Sequence, residues 1–360
     1  VVAVCGCYPQ THPEDVAGLD VDLIAGTGDR MKFLDLLEAA VRERAPVVAL
    51  DRALDRRTFE ALPAGGLAAR TRAMLKVEDG CVNFCSYCII PYARGPVRSL
   101  PLETAAAEAR RLAAEGYREL VITGIEISSW GRDLPGAPGL IDLLEAVCQA
   151  AEGLRVRLGS LEPRTITEEF CRRAAALPNL CPHFHLSMQS GCDATLQRMN
   201  RKYDTKRYYQ SVELLNGYFS RPAVTTDLIV GFPGETEAEF AATLDFVRQC
   251  AFAEMHIFPY SIRPGTPAAA MEQVPGPVKD RRAGEAAALA AELHAAYLHA
   301  CVGRTLSVLY EQPAGGGLCQ GHGENYMTVL AVGENLRNQV RPTRITGVRD
   351  GLLLGELAEV

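Results

Sequence analysis

The sequence of 360 residues predicts an α/β protein built around a partial (β/α)6 barrel, with an α/β domain before it and a small antiparallel β-barrel after it. Three observations predict this fold. Between residues 71 and 270, six apolar runs alternate with amphipathic segments of helix length, which is typical of parallel strands covered by helices. Residues 1–65 show the same rhythm on a smaller scale. After Gly303, short apolar runs are separated by glycines, as in small all-β barrels.

The first region, residues 1–65, is predicted to be an incomplete α/β domain. VVAVCGCY and VDLIAGTG are expected strands, HPEDVAG is a short helix or turn, and MKFLDLLEAAVRER has the apolar spacing of a helix. The chain lacks an initial Met and begins inside a strand that we predict to be buried, so we expect residues to be missing before Val1. Residues 46–70 contain prolines and a glycine pair and are predicted to form a linker.

The central barrel is predicted over residues 66–276, a linking helix over 277–302 and the small β-barrel over 303–360. The six expected strands of the central barrel are AMLKV (73–77), ELVITG (119–124), RVRLGS (155–160), HFHLSM (183–188), AVTTDLIVGF (223–232) and EMHIFPY (254–260). The expected helices include residues 102–116, which end at a glycine, and residues 235–250. Chemistry is expected at the carboxyl ends of the strands. An open doubly wound sheet is the alternative arrangement.

Composition narrows the class of protein. The net charge of -7 and the pI of about 5.6 weigh against a broadly basic nucleic-acid-binding surface, although a local basic patch is compatible with them. No apolar run reaches the roughly 18 residues of a membrane span, and no secretion signal precedes the 12 cysteines. Three cysteines crowd into eight residues while the others are scattered among apolar neighbours. This distribution predicts a cytoplasmic protein with a metal site.

The cysteine cluster lies in VEDGCVNFCSYCIIPYARG, directly after the first expected barrel strand. Cys81, Cys85 and Cys88 have the spacing Cys-x3-Cys-x2-Cys. Three thiolates from one loop can bind three irons of a cubane and leave the fourth iron open for chemistry. The alternatives are a structural zinc site or simple buried thiols. Structural zinc sites usually have four protein ligands, and no fourth Cys or His lies nearby in the sequence.

CVNFCSYC, with Tyr87 in the aromatic position, resembles the signature of the radical S-adenosylmethionine (SAM) superfamily. The resemblance implies that Cys81, Cys85 and Cys88 hold a catalytic 4Fe–4S cluster whose open iron is chelated by the amino and carboxylate groups of SAM. It further implies that an electron from the cluster splits SAM into methionine and a 5′-deoxyadenosyl radical. The partial (β/α)6 barrel of that superfamily agrees with the six strands counted above.

The longer motifs GCYPQ, TGIEISSWG, SLEP, HLSMQSG, RMNRKY and DLIVGFPGET resemble the methylthiotransferases within that superfamily. The resemblance implies an N-terminal domain with a second, auxiliary 4Fe–4S cluster and a C-terminal RNA-binding barrel of the TRAM type. Cys7 in GCYPQ matches the third auxiliary ligand, whereas the other two would precede Val1, so the ligand set here is incomplete. Cys5 has no counterpart in the family pattern.

TGIEISSWG and IIPYARGPVRS are similar to the enzymes that act on N6-threonylcarbamoyladenosine in tRNA. The enzymes for isopentenyladenosine tRNA or for a ribosomal-protein aspartate tend to carry Gln where this chain has Ile125 or Glu126. Both of these substrates remain alternatives. A non-catalytic RNA-binding protein with a structural metal is a further hypothesis from another class.

The resemblance also implies a set of cofactor-binding residues. Strand-end residues would contact the methionine amino group, the ribose and the adenine of SAM. Arg201 lies in a basic run that would hold the cofactor carboxylate or an RNA phosphate, or would be a solvated helix face. The predicted cofactor-binding residues are Tyr87, Gly124, Glu126, Ser160, Glu162, Gln189, Arg201, Asp227, Ile229 and Gly231. His183 and His185 alternate with apolar residues and are expected to be core histidines.

The expected partners are the tRNA anticodon loop and an electron donor such as flavodoxin or ferredoxin, with no membrane partner and a monomeric state. In the C-terminal barrel, basic residues and one aromatic residue have the composition of an RNA surface. These residues are Arg304, Tyr326, Arg337, Arg341, Arg344 and Arg349. A plain soluble barrel with a charged rim is the alternative.

Overall fold

The computed structural model describes residues 1–43, 46–62 and 71–358. The predicted boundary between residues 65 and 66 lies outside the described residues. Within them, the chain forms a three-stranded N-terminal sheet, two central parallel sheets of three and four strands flanked by helices, a small two-stranded sheet, a long helix and a closed five-stranded barrel. None of the described helices combines the length and the apolar character that a membrane span requires.

The N-terminal sheet is parallel, with the order β1-β2-β3. Its elements are β1 (Ala3–Cys5), α1 (Cys7–Thr11), α2 (Pro13–Ala17), β2 (Leu23–Ala25), α3 (Phe33–Glu43) and β3 (Val47–Ala49). The first strand is shorter than predicted, because Gly6 has a φ of 109° that turns the chain into α1. Ala3 and Cys5 are exposed, so this strand is not buried as expected. β3 lies in the predicted linker, since three residues are too few to show a period.

The central region alternates strands and helices. Its strands are β4 (Arg72–Lys76), β5 (Glu78–Asp79), β6 (Arg98–Ser99), β7 (Glu119–Thr123), β8 (Arg155–Leu158), β9 (Ser160–Leu161), β10 (His183–Leu186), β11 (Ala223–Val230) and β12 (Glu254–Pro259). Its helices are α4 (Ile90–Arg94), α5 (Leu102–Ala114), α6 (Leu140–Ala150), α7 (Glu168–Ala175), α8 (Asp193–Arg198), α9 (Thr205–Tyr218) and α10 (Glu237–Cys250). Every strand predicted in this region coincides with an observed one.

The large strands form two parallel sheets, β4-β7-β8 and β9-β10-β11-β12. β8 and β9 are consecutive pieces of one run that breaks at Gly159. The strand order therefore follows the chain without reversal, whereas a doubly wound sheet reverses its order at a switch point. One face of these strands packs fully buried apolar side chains such as Leu120, Val156 and Phe184 into the main core.

Helix α11 (Gly276–Cys301) leads to the C-terminal barrel, whose closed order is β13-β14-β15-β17-β16. Its strands are β13 (Thr305–Gly315), β14 (Leu318–Gly323), β15 (Thr328–Val332), β16 (Gln339–Arg349) and β17 (Leu352–Leu357). β15 pairs with β17 in parallel, so the barrel is mixed rather than purely antiparallel as predicted. No clear apolar run marks β14 or β16 in the sequence, because glycines, polar residues and a proline interrupt their apolar positions.

The C-terminal barrel packs against the amino ends of the central strands through a buried ionic cluster. Glu119, the first residue of β7, is fully buried and accepts hydrogen bonds from Arg155 Nε at 3.0 Å and Arg157 Nε at 2.8 Å. Arg155 also donates to the carbonyl oxygen of Ser307 at 2.6 Å, and Arg157 donates to that of Glu324 at 2.9 Å. The cluster therefore ties the barrel to one end of the strands and leaves the opposite, carboxyl ends to the cysteine loop.

Candidate active site

The cysteine loop follows β5 and is held by backbone hydrogen bonds. The amide of Cys81 donates to the carbonyl of Gly95 at 3.0 Å, and the amide of Cys88 donates to that of Cys85 at 2.9 Å. Gly80 starts the loop with a φ of 97°, and a Cβ there would lie 2.0 Å from the carbonyl oxygen of Pro96. Only glycine fits this position, so the residue before Cys81 fixes where the loop leaves the strand.

The three thiols lie close enough to influence one another and are shielded from water. Burial, together with the smaller effects of Glu126, Cys85 and Cys88, raises the pKa of Cys81 to about 12. Burial also raises the pKa of Cys88. Neutral, buried thiols are poor nucleophiles, whereas a bound metal would deprotonate them. The loop is therefore suited to hold a metal group rather than to attack a substrate.

The distances among the three cysteine sulfurs bear on whether the loop holds a single zinc ion. Three sulfurs around one zinc ion lie roughly 3.8 Å apart, because each Zn–S bond is about 2.3 Å. Among the described residues, only His185, Asp227 and His256 place three Cys, His or carboxylate ligand atoms all within 4.8 Å of one another. The sulfurs of Cys81, Cys85 and Cys88 do not meet this limit, so they are spread more widely than the ligands of a single zinc ion. This arrangement disfavours the structural-zinc alternative.

Hydrogen-bond donors approach two of the cluster sulfurs. The amide of Asn83 lies 3.5 Å from the Sγ of Cys81, and Arg201 Nη1 lies 3.3 Å from the Sγ of Cys85. Arg201 also donates to the carbonyl of Ser187 at 3.2 Å and to the hydroxyl of Tyr203 at 3.0 Å. Its guanidinium is thus fixed beside the loop. Donors of this kind stabilise the negative charge of thiolate-bound iron.

Two carboxylates, those of the buried Glu78 and the partly buried Glu126, meet just beyond the ends of β5 and β7. The amide of Glu126 donates to Glu78 Oε2 at 2.7 Å, and a Cβ on Gly124 would lie 2.8 Å from the Glu78 carbonyl oxygen. Glu78 Oε1 and Glu126 Oε1 are buried without a hydrogen-bond partner. Burial raises the pKa of Glu78 to about 8, and burial also raises the pKa of Glu126. Orphaned acceptors beside the cysteine loop fit an ammonium donor, such as the amino group of SAM.

Glu78 is a candidate site residue that the sequence analysis missed. It stands directly before the loop in EDGC and is fully buried, which the structure shows and the sequence alone does not. The predicted residue Glu162 is also buried, and both of its carboxylate oxygens accept from Arg164 Nε at 2.9 Å.

An apolar wall stands on the other side of the loop. Tyr87 and Ile229 pack against the buried residues Met199, Phe232 and Tyr260. The rings of Tyr87 and Phe232 are 6.4 Å apart in an edge-on arrangement. This wall places two of the predicted cofactor-binding residues beside the cysteines and limits the access of water to them.

Two of the predicted cofactor-binding residues, Gln189 and Gly231, have left-handed backbone conformations beyond the ends of β10 and β11. Gln189 has a φ of 66°, donates its amide to the carbonyl of Asp227 at 2.9 Å and accepts from the amide of Ile229 at 2.9 Å. Gly231 also has a φ of 66°, and a Cβ there would lie 2.5 Å from Cγ of Lys279. These contacts fix the backbone at the strand ends and leave the Gln189 side chain outside them.

The structure directs two further predicted residues away from the loop. Ser160 and Asp227 line an open cavity of about 820 Å³, whose walls come from both parallel sheets and from the C-terminal barrel. The Oδ2 of Asp227 is 3.3 Å from Nε2 of His185. His183 lines the same cavity, and burial holds its pKa well below the usual value, so it is a neutral core histidine.

The N-terminal domain docks beside the segment that follows the cysteine loop. Thr27 Oγ1 donates to the carbonyl of Ala93 at 2.5 Å, and Gly95 is so close to Ala53 that a Cβ would lie 1.9 Å from its carbonyl oxygen. Cys7 begins α1 of this domain, and Cys5 lines a cavity of about 590 Å³. Cys7 is the one predicted auxiliary-cluster ligand in the chain.

The sequence and the fold both match known proteins. A family model described as the radical SAM superfamily matches residues 75–247. The chain is 37% identical to the threonylcarbamoyladenosine tRNA methylthiotransferase MtaB of Bacillus subtilis, over 92% of this chain and 75% of that protein. It is 35% identical to a tRNA-2-methylthio-N(6)-dimethylallyladenosine synthase of Maricaulis maris, over 99% of this chain and 80% of that protein.

A solved structure shares the fold at low sequence identity. The radical SAM methyltransferase TsrM of Kitasatospora setae, solved with tryptophan and a SAM analogue, superposes with a TM-score of 0.56. The match covers 87% of this chain and 61% of that one at 16% identity. It supports the α/β fold around the cysteine loop and carries no substrate argument.

Proposed function

The chain belongs to the radical SAM tRNA methylthiotransferase family, and from that premise we propose that it inserts a methylthio group at C2 of N6-threonylcarbamoyladenosine next to the anticodon. The strand-end motif TGIEISSWG carries this choice of substrate, because Ile125 and Glu126 stand where the enzymes for other substrates tend to have Gln. Percentage identity does not decide between the substrates, since the relatives named for dimethylallyladenosine are 33% to 39% identical.

We assign Cys81, Cys85 and Cys88 as the ligands of a 4Fe–4S cluster, which when bound supplies the electron for reductive cleavage of SAM. The orphaned oxygens of Glu78 and Glu126 would accept hydrogen bonds from the amino group of SAM. Gly124 keeps the space beside Glu78 free of a side chain.

The surrounding side chains prepare the site for that reaction. Arg201 places a positive charge against Cys85. Tyr87, Ile229 and Phe232 form an apolar wall that excludes water, which protects a reactive radical from side reactions.

The proposal also gives roles to Cys7 and to the C-terminal barrel. Cys7 contributes to an auxiliary 4Fe–4S cluster, and the C-terminal barrel is an RNA-binding TRAM module. The partners are the tRNA anticodon loop and a flavodoxin or ferredoxin that donates electrons to a cytoplasmic monomer. Family membership makes the protein a transferase rather than the non-catalytic RNA-binding protein that the sequence left open.

The test is nucleoside mass spectrometry of bulk tRNA from a strain that lacks the gene for this protein. We expect 2-methylthio-N6-threonylcarbamoyladenosine to disappear and its unmethylthiolated precursor to accumulate. A plasmid with the wild-type gene restores the nucleoside, whereas one with Cys85→Ala does not. Loss of the 2-methylthio isopentenyladenosine nucleoside would instead establish the first alternative substrate. An unchanged set of tRNA nucleosides would refute a tRNA substrate, and the ribosomal-protein aspartate would then be the substrate to test.

A further inference from the structure

Three side chains of the types that commonly ligate metals project from neighbouring strands into the open cavity described above. His185 lies on β10, Asp227 on β11 and His256 on β12. Asp227 and His256 are directly paired in the sheet, and His185 pairs with Thr225, two residues before Asp227. Because alternate residues of a strand share a face, all three side chains point to the same side of the sheet. The cavity of about 820 Å³ is lined by all three of them.

Their ligand atoms converge on one point. Each side chain offers one ligand atom, a ring nitrogen or a carboxylate oxygen, that lies within 4.8 Å of the ligand atoms of the other two. Nε2 of His185 is 3.3 Å from Oδ2 of Asp227, and the rings of His185 and His256 are 6.0 Å apart at 30°. Nδ1 of His185 lies 3.0 Å from Oγ1 of Thr225, which orients the ring with Nε2 toward Asp227. A metal-bound histidine commonly has such a hydrogen bond on its other nitrogen.

The charge balance of the cavity favours a cation. Among the described residues, the only ionic contact of Asp227 is with His185, and Glu254 has no ionic partner. The two guanidinium groups at the cavity wall already pair with other carboxylates: Arg157 pairs with Glu119, and Arg72 pairs with Glu311. Two carboxylates thus face the cavity without a lysine or arginine partner.

We propose that His185, Asp227 and His256 form a binding site for a divalent transition-metal ion, with Zn²⁺ as the representative ion. Two imidazoles and one carboxylate are ligands that zinc and iron(II) both accept. Three protein ligands leave a coordination position that opens into the cavity, where a water molecule or a small ligand fits. The site is separate from the cysteine loop and does not depend on the proposed tRNA substrate.

The test is equilibrium dialysis of the anaerobically purified, cluster-loaded protein against Zn²⁺, with zinc and iron counted by mass spectrometry. We expect one zinc per chain above the level bound by a His256→Ala variant. Zinc affinity should fall by more than the roughly 10–100-fold that loss of a supporting hydrogen bond costs. A His185→Ala variant should behave in the same way. The exposed His299 on α11 gives the matched control, since His299→Ala should bind zinc like the wild type.

Iron content and thermal stability serve as two controls on the His256→Ala variant. Unchanged iron content in the His256→Ala variant shows that the cysteine site is intact, and an unchanged melting curve shows that the exposed His256 was not needed for folding. Equal zinc binding by wild type and both histidine variants, or no zinc binding by the wild type, would overturn the proposal. The triad would then be only a contact between His185 and Asp227 with His256 beside it.

Discussion

Arg201 donates a hydrogen bond from Nη1 to the Sγ of Cys85 across 3.3 Å. Its guanidinium also lies 4.8 Å from the centre of the Tyr203 ring. The contact fixes one positive charge against one ligand of the proposed cluster. Since reduction adds a negative charge to a cluster, a cation and a hydrogen bond at this sulfur favour the reduced state.

Replacing Arg201 by Met should lower the reduction potential of the cluster by on the order of 100 mV. A hydrogen bond to a charged group contributes ~1.5–3 kcal/mol, and 59 mV corresponds to a tenfold change for one electron. The measurement is a redox titration followed by electron paramagnetic resonance. Arg198→Met is the control, because Arg198 pairs with Glu239 at 2.6 Å and should leave the potential unchanged. Equal potentials in the wild type and Arg201→Met would refute the role.

Replacing Cys85 by Ala should abolish cluster assembly, because the two remaining thiols cannot complete a three-ligand set. The anaerobically purified variant should lose the iron and sulfide of this cluster and keep at most those of the proposed auxiliary cluster, and cleavage of SAM under reductant should stop. Cys192 lies outside the loop and is only partly buried, so Cys192→Ala should retain full iron content. Normal iron in the Cys85→Ala variant would contradict the ligand assignment.

Glu78 should make stability fall as the pH rises. Burial raises its pKa from an ordinary value of 4.5 to about 8, so between these values the folded chain keeps a proton that the unfolded chain has lost. The free energy of unfolding should therefore decrease by up to about 1.4 kcal/mol per pH unit from this group, with the full contribution present below pH 4.5.

Glu78→Gln removes that dependence. Urea unfolding at pH 6 and pH 8 should show a difference of ~2–3 kcal/mol between the two pH values in the wild type that the variant lacks. Glu103→Gln, at an exposed helix position, should keep the wild-type slope. Identical slopes in the wild type and Glu78→Gln would mean that Glu78 is ionised in the folded protein.

Glu119 should contribute strongly to the stability of the whole chain. Burial would raise its pKa, but the guanidinium groups of Arg157, Arg155 and Arg72 outweigh burial and hold that pKa at about 2. Glu119→Gln leaves buried positive charges unbalanced and should cost ~3–5 kcal/mol in chemical denaturation at pH 7. In the wild type this stabilisation is present above pH 4.5 and should be lost as the pH falls toward 2.

The matched control for that experiment is Glu108→Gln. Glu108 pairs with Arg111 on the surface of α5 at 2.7 Å, and both side chains are more than a quarter exposed. Exposed pairs of this kind contribute less than about 1 kcal/mol. A similar loss of unfolding free energy in both variants would mean that the buried ionic cluster stabilises the chain no more than an exposed ion pair does.

The RNA binding proposed for the C-terminal barrel should involve β16. Arg344 and Arg349 are exposed on this strand. A variant with both changed to Ala should bind tRNA more weakly, and the slope of log affinity against log salt should become shallower by roughly 1.4–1.8. Filter binding at several salt concentrations measures this slope.

An equally charged control separates local contacts from net charge. Arg110 and Arg172 are exposed on α5 and α7, and changing both to Ala should leave the slope nearly unchanged. If both double variants lose affinity alike, the effect is one of total charge and β16 is not the contact.

The central strands were predictable from sequence because their apolar runs are long and their helices have clear periods. β3, β14 and β16 were not, since they are short or interrupted by polar residues. The cysteine loop was recognisable from spacing alone. Glu78 and the triad of His185, Asp227 and His256 depend on which strands become neighbours, and that information lies in the sheet order rather than in any local pattern.

The contacts of the Tyr326 ring could not be predicted from the sequence either. An aromatic residue among arginines suggested base stacking, yet its ring lies 4.7 Å from the Arg157 guanidinium and 5.2 Å from that of Arg72. Its neighbours come from the central domain, which is distant in sequence. Composition identified the chemistry of the side chain but not its partner.

The ionic cluster at the amino ends of the strands also has a consequence for how the chain folds during synthesis. Arg155 and Arg157 use the carbonyl groups of Ser307 and Glu324, which leave the ribosome some 150 residues later. Until then their guanidinium groups lack these acceptors, and the strand ends remain hydrated. Domains usually fold as they emerge, but here the central domain reaches its final state only with the last segment of the chain. A nascent chain that stalls before the C-terminal barrel should therefore be a substrate for chaperones and proteases.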